Sequence, residues 1–415
     1  MGSRRSGSRG RHSIPRVTFE PARPPATTDR GLGPGLIALF AVGCGLSAGN
    51  LYYAQPILPQ LQKALHCSAG AAAIVVALGQ LGYAAGLITI VPLGDVVRRK
   101  ALVPMLLVLA AGGLALSAAA PSLAVLAAAA VLIGLTSVAA QVLVPFAASL
   151  ATPAEQSRVV GAVMSGLLTG VLLVRTASGL LADLGTWRLP YATGAALIVI
   201  LAVVMRVALP ATAPAPNPGY RRTIRAVGIL VRDDTLSRVR CILGALDYAM
   251  FNLFWSTMAF LLHKPPYRFS PSEIGLLGLV GAAGAASAAS VGRLRTTVSD
   301  FVLTVTSAGL AGGSFVIMAF GRSSLTAIVV GMIALDVAVQ ALHITNLALL
   351  YERSRAPHSR IAAAYVSSYF IGGAAGSALG AVVYSTAGWT GVCTAGVVIS
   401  AITIGVASHA RHQSG

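Results

Sequence analysis

The chain has 415 residues, of which 56% are hydrophobic and only 10% charged, with a mean hydropathy of +0.79. Soluble domains carry about 25% charged residues, so a water-soluble enzyme is excluded and a polytopic membrane protein is indicated. The remaining charge is lopsided, 30 Lys+Arg against 12 Asp+Glu, a balance that points to nucleic acid in a soluble chain and to basic cytoplasmic loops in a membrane one.

Residues 1–31 are rich in Arg, Ser, Gly and Pro and read as a disordered basic tail. The apolar run after them is too long for a cleavable signal. A bilayer-spanning helix needs about 20 predominantly apolar residues, and twelve such stretches follow. In the first half they cover 33–61, 70–93, 101–119, 122–149, 160–182 and 189–209. The second half gives 239–262, 273–291, 300–320, 324–350, 361–384 and 389–408. Between the halves, residues 210–236 open with a proline-rich run and continue with Arg221, Arg222, Arg225 and Arg232. They read as a cytoplasmic linker between a six-helix half at 32–209 and another at 237–410.

With both ends cytoplasmic, 24 basic residues fall in the tail, the linker and the cytoplasmic loops, and 5 fall outside. That division follows the positive-inside rule, so the basic excess reports orientation and no nucleic-acid partner is expected. Cys44, Cys241 and Cys393 lie inside apolar runs and Cys67 follows the first one. Their spacing indicates neither a disulfide framework nor a zinc site, and no metal or cofactor is expected.

An internal repeat runs at an offset of 202. It maps Asn50-Leu51-Tyr52-Tyr53 onto Asn252-Leu253-Phe254-Trp255, Arg158 onto Arg360, Gly170 onto Gly372 and Trp187 onto Trp389. One such match is weak, but a register recurring at three places supports two parallel halves.

Several stretches now carry a likeness. They are Gly49-Asn50-Leu51-Tyr52-Tyr53-Ala54-Gln55-Pro56, the loop Gly94-Asp95-Val96-Val97-Arg98-Arg99-Lys100, Met164-Ser165-Gly166 with Arg175, and His343-Ile344-Thr345-Asn346. The chain resembles the major facilitator superfamily over about residues 35–408, and within it the bacterial twelve-span exporters of drugs and metabolites. The resemblance implies an all-α integral membrane fold of two pseudo-symmetric six-helix halves. It also implies that Asp95 and Arg99 form a cytoplasmic latch, although this loop lacks the first arginine and the glycine of the usual pattern. The alternative for that cluster is an ordinary stop-transfer signal.

Ionisable residues inside spans are expensive and default to function. Span ten places Asp336, Gln340 and His343 on one helical face, which Asn346 extends. Asp336 and His343 are candidate proton carriers, with a buried structural Asp336 as the alternative. Span seven adds Asp247, Asn252 and Trp255, with pairing of Asp247 to Arg240 as the alternative. Asn50, Tyr52, Tyr53 and Gln55 of span one and Gln141 of span four supply amides and rings suited to an amphiphilic organic substrate. Arg175 in span five can counter Asp247 or Asp336, attract an anionic substrate, or extend outward beside Asp183.

The expectation is a monomeric secondary transporter of the inner membrane, exporting a small organic compound in exchange for protons. Uptake symport of a sugar or organic acid is a second reading. A transport-inactive membrane sensor is a third. No motif for an enzyme is present.

Overall fold

The computed structural model describes residues 32–212, 219–354, 356 and 358–412. The expected basic tail at 1–31 and residues 213–218 of the linker lie outside them. All the described elements are helical, as a chain that must satisfy its backbone within lipid requires.

Span one runs as Pro34–Gly49, tightens to a 3₁₀ turn at Asn50–Tyr52 and resumes as Ala54–Ala64. Pro56 and Pro59 offer no N–H to the carbonyls four residues earlier, those of Tyr52 and Gln55. Spans two and three are Ala69–Thr89 and Arg99–Ala119. Span four is Leu123–Ser137 continued by Ala139–Leu150, with Pro145 inside it. Spans five and six are Gln156–Leu184 and Leu189–Ala208. A linker helix, Tyr220–Asp233, precedes span seven, which is Thr235–Trp255 followed by Met258–Leu262. Spans nine and ten are Asp300–Phe320 and Leu325–Arg353.

Two spans differ from simple apolar rods. Span eight is Pro271–Leu277, a 3₁₀ turn at Gly278–Gly281, and Ala282–Leu294. Because it is broken, it is absent from the ten helices long and apolar enough to cross a membrane. The last of those ten, Arg360–His412, has 53 residues, enough for two crossings. It turns at Gly388, whose φ of 62° is strained for other residues, so spans eleven and twelve meet there. Side-chain caps mark the starts that the sequence punctuates: Ser68, Ser122, Asp234, Ser299 and Ser324 each accept from the backbone of the first turn, and Ser270 with Glu273 forms a capping box.

The repeat is visible in the packing. Span one lies so close to span five that a Cβ at Gly170 would meet the Gly45 Cα at 2.3 Å. In the second half a Cβ at Gly372 of span eleven would meet the Ala245 Cα of span seven at 2.4 Å. Without a hydrophobic drive between helices in lipid, such small-residue contacts supply the association. Across the halves, span two packs on span eleven and span five on span eight. Outward faces expose Val108, Ile200, Val203 and Val382, the apolar surface that lipid covers.

Candidate functional site

The cluster is centred on Arg175, which is only 3% exposed. Its Nε donates to Gln55 Oε1 of span one at 2.9 Å. Its guanidinium lies over Trp255 at 4.0 Å, Tyr52 at 4.7 Å and Phe251 at 5.7 Å. Stripping water from an unpaired cation is costly, and desolvated cation–π contacts of about 2 kcal/mol offset part of that cost. Arg175 therefore points into the junction of spans one, five and seven and not outward beside Asp183.

Asp336 of span ten completes the junction. It is 5% exposed, and its Oδ1 receives a long hydrogen bond from Trp255 Nε1, at 3.4 Å. Span eight runs between Arg175 and Asp336 on a row of glycines spaced by three. Three residues per turn aligns such a row in a 3₁₀ segment. A Cβ at Gly278 would touch the Arg175 side chain at 3.0 Å, and one at Gly284 would touch the Asp336 Cβ at 3.0 Å. Between them, a Cβ at Gly281 would lie 3.1 Å from Asp336 Oδ2 and 3.9 Å from Arg175 Nη1. The break in span eight is thus what lets its backbone pass the two charges.

A second polar group lies nearer the ends that carry the linker. Asp247 is fully buried, and neither oxygen has a hydrogen-bond partner among the described residues. Arg240, the alternative partner, instead donates from Nη1 to Asn346 Oδ1 at 3.2 Å and to Thr304 at 3.4 Å. Asn346 is buried in that contact. His343 meets Tyr365, with Nδ1 3.2 Å from the hydroxyl, and its ring packs on Tyr369 at 4.7 Å. Asp336 and His343 share span ten yet serve different neighbours, spans seven and eight for the one and span eleven for the other.

The remaining candidates are spread around this axis. The Tyr52 and Tyr248 hydroxyls meet at 2.9 Å, joining span one to span seven. Asn252 accepts from Gln80 of span two at 3.2 Å. Gln141 donates to the Tyr83 hydroxyl at 3.2 Å, and Gln340 is half-buried. Asn50 and Tyr53 depart from the expected convergence. Asn50 lines a void with Val76, Ser117, Ile133 and Tyr191 inside the first half. Tyr53 packs on Tyr191 at 5.9 Å, because the 3₁₀ turn rotates successive side chains to different sides.

Both ends of the junction are tied. On the side away from the linker, Asp183 of span five accepts from the backbone N–H and the hydroxyl of Ser272 in span eight. On the linker side, Arg99 donates from Nε to the Gly94 carbonyl at 2.9 Å and from Nη1 to Ser149 at 3.4 Å; the Asp95 side chain lies outside the description. In the second half Arg295 binds Asp300 at 3.0 Å and Glu352 at 2.9 Å. Those hydrogen bonds, Glu352 first and Asp300 second, raise the Arg295 guanidinium above its ordinary pKa.

The family model described as Major Facilitator Superfamily matches residues 38–359. The chain belongs to the Major Facilitator Superfamily. In Escherichia coli, strains K12 and O157:H7, the uncharacterized transporter YgaY is 40% identical over 373 residues, covering 90% of this chain and 95% of its own. The protein SCO4007 of Streptomyces coelicolor, also named as a transporter, is 31% identical over 359 residues, covering 86% and 83%. Among solved structures, a bacterial homolog of the human lysosomal transporter Spinster superposes with a TM-score of 0.73 at 14% identity, covering 92% of this chain and 98% of that one. The nucleoside transporter NupG gives 0.69 at 15%, covering 90% and 98%. At such identities these two share the fold alone. This superfamily member is accordingly a multi-pass membrane transporter of small molecules and not an enzyme.

Within it, several wall residues were not legible one span at a time. The Tyr83 and Phe370 rings lie tilted 4.2 Å apart across the two halves, and Tyr248 stacks on Tyr369 at 4.0 Å within the second half. Rings recurring in spans two and eleven among small residues were the signal available. Gly281 carried a weaker one, its place in a run that also serves ordinary helix packing.

Proposed function

We propose that this transporter exports a small organic compound in exchange for protons, alternating access by rocking residues 32–209 against residues 237–410 about the linker. It works in the inner membrane as a monomer with both termini cytoplasmic, the orientation that the basic loops favour. One observation carries the reading: Arg175 and Asp336, from opposite halves, sit buried at the junction with no ion-pair partner among the described residues. Charges of that kind mark substrate and ion pathways in membranes.

Asp336 and Asp247 are the proton carriers in this reading, with His343 beside Asp247's neighbours Tyr365 and Tyr369. Gln55, Tyr52, Trp255 and the surrounding rings supply the substrate walls, and Asn252, Gln141, Gln340 and Asn346 line the approach. Asp95 and Arg99 latch the cytoplasmic side. Export is favoured over uptake by the likeness of several stretches to exporters and by the aromatic walls, which suit an amphiphilic cargo better than a sugar.

The test is transport by the purified protein in sealed vesicles with an acidic lumen and candidate organic compounds added outside. Accumulation against the gradient that collapses with a protonophore is the expected result. Movement indifferent to the protonophore would remove the coupling.

A further inference from the structure

We propose that the gap between Arg175 and Asp336 holds a zwitterionic substrate, a small molecule with a carboxylate and an amine on neighbouring atoms and an apolar or aromatic body. The inference rests on the transport reading above and deepens it to a substrate class.

Both charged side chains are more than nine-tenths buried. Each has one atom, Arg175 Nη2 and Asp336 Oδ2, without a hydrogen-bond partner among the described residues. They nevertheless approach one common point, the place a Cβ of Gly281 would take, 3.1 Å from Asp336 Oδ2, 3.3 Å from Leu172 Cδ2 and 3.9 Å from Arg175 Nη1. Buried opposite charges this near usually close into an ion pair, because each unpaired one leaves several kcal/mol of desolvation uncompensated. No such pair is among the salt bridges of the described residues.

The shape of the cluster says what belongs between them. Rings of Tyr52, Phe251 and Trp255 cover the guanidinium within 6 Å, while its N–H edge is the part that recognises carboxylates in a planar fork. An anion alone placed there meets Asp336, and a cation alone meets Arg175. A neutral hydroxyl compound leaves both desolvated charges uncompensated. A carboxylate and an ammonium on adjacent atoms satisfy both at once, with the rest of the molecule against the rings. Because Arg175 is on span five and Asp336 on span ten, such a ligand joins the two halves, so its arrival biases their rocking.

Three related probes separate the possibilities in the purified full-length protein: L-phenylalanine, 3-phenylpropanoate without the amine, and phenylalaninamide without the carboxylate. Calorimetry should show phenylalanine binding at least about tenfold more tightly than either, the scale expected when a buried charge loses its partner. Gly281→Ala, whose methyl would lie 3.1 Å from Asp336 Oδ2 and 3.3 Å from Leu172 Cδ2, should abolish that binding in folded protein. Asp336→Asn should erase the preference over 3-phenylpropanoate, a readout that stands even where Gly281→Ala fails to fold. Equal binding of the three, binding of one single-charge probe alone, or binding of none overturns the zwitterion site. Phenylalanine bound in the expected pattern, yet not moved by a pH gradient, upholds this site and sinks the coupling instead.

Discussion

Asp183 near the end of span five accepts two hydrogen bonds from Ser272, its backbone N–H and its hydroxyl, in the first turn of span eight. A turn and more further in, the Thr176 hydroxyl donates to the Gly275 carbonyl at 3.0 Å. One face of span five is thereby fastened to span eight on the side away from the linker, and a carboxylate at a helix N-terminus is stabilised there. In a transporter that alternates access, a contact placed here is expected to act as a gate. Asp183 is exposed and solvent screens its bonds to about 1 kcal/mol or less, so Asp183→Asn should raise the population open on this side by a few-fold. Labelling of a cysteine placed at Met258, which is 2% exposed, by an impermeant thiol reagent measures that population. Unchanged labelling would show that Asp183 closes nothing.

Asp336→Asn keeps the size of the side chain and its contact with Trp255 while removing the charge. Transport should lose its dependence on an imposed pH gradient, with accumulation falling to the level seen without a gradient. Inserted protein should remain at wild-type level. The vesicle assay with and without a protonophore checks this. A mutant with ordinary proton dependence would transfer the coupling role to Asp247, whose oxygens have no partner among the described residues.

The loop after span two carries a separate expectation. Arg99 reaches from the start of span three to Gly94 and to Ser149 of span four, and its guanidinium lies 5.7 Å from the Phe146 ring. Arg99→Ala should slow turnover severalfold through loss of these local contacts, each of the order of 1 kcal/mol, without altering substrate affinity. Asp95→Ala should do the same if the two residues latch together as the family resemblance implies. Separate measurement of turnover and binding decides it. A change in affinity with normal turnover would place the loop outside the conformational step.

How much of this could be read from the residues alone varies with the kind of feature. Span number and the offset repeat were legible, because lipid demands long apolar helices and the glycine contacts of spans one and five recur in spans seven and eleven. Charges inside spans were legible for the same reason: Arg175, Asp247 and Asp336 stand out where charge is scarce. Their relationships were not. Helical spacing puts Asp336 and His343 on one face of span ten, yet a stripe is silent about its neighbours. Tertiary packing gives Asp336 to Trp255 and Gly281, and His343 to Tyr365. Span eight was the least legible. A single apolar stretch at 273–291 hides a 3₁₀ turn whose effect appears only when spans five and ten are set against it. Asn50 shows the converse limit of a one-span reading, since the turn that follows Gly49 directs it into the first half.

The glycine contacts yield a stability prediction. At Gly372 a Cβ would sit 2.0 Å from the Ala245 carbonyl oxygen, and at Gly170 2.5 Å from that of Gly45. Neither neighbour is a flexible side chain, so the helices must part. Alanine at either position should cost about 1–3 kcal/mol, the usual scale of overpacking, and lower the melting temperature in detergent. Gly112→Ala has nothing within 4 Å of its added carbon and should leave melting unchanged. Equal melting of all three variants would mean that spans one and five, and seven and eleven, are not held at this distance.

The linker-side cluster of the second half gives the last expectation. Arg295 lies between Asp300, at the start of span nine, and Glu352, at the end of span ten, and Arg353 approaches Asp300 at 3.6 Å. The Arg295 and Asp300 side chains are 15% and 19% exposed, whereas Glu352 is 56% exposed. The two bonds of Arg295 are therefore unequal. The outer pair with Glu352 is screened by solvent and contributes well under about 1 kcal/mol, so Glu352→Gln should barely move the melting temperature. Arg295→Ala removes both pairs, leaves Asp300 without its nearer cation and frees the loop between spans eight and nine. It should lower melting clearly more than Glu352→Gln and raise protease cleavage within residues 293–299. Equal effects of the two variants would mean that the cluster is only a surface network, with no part in holding span eight to spans nine and ten.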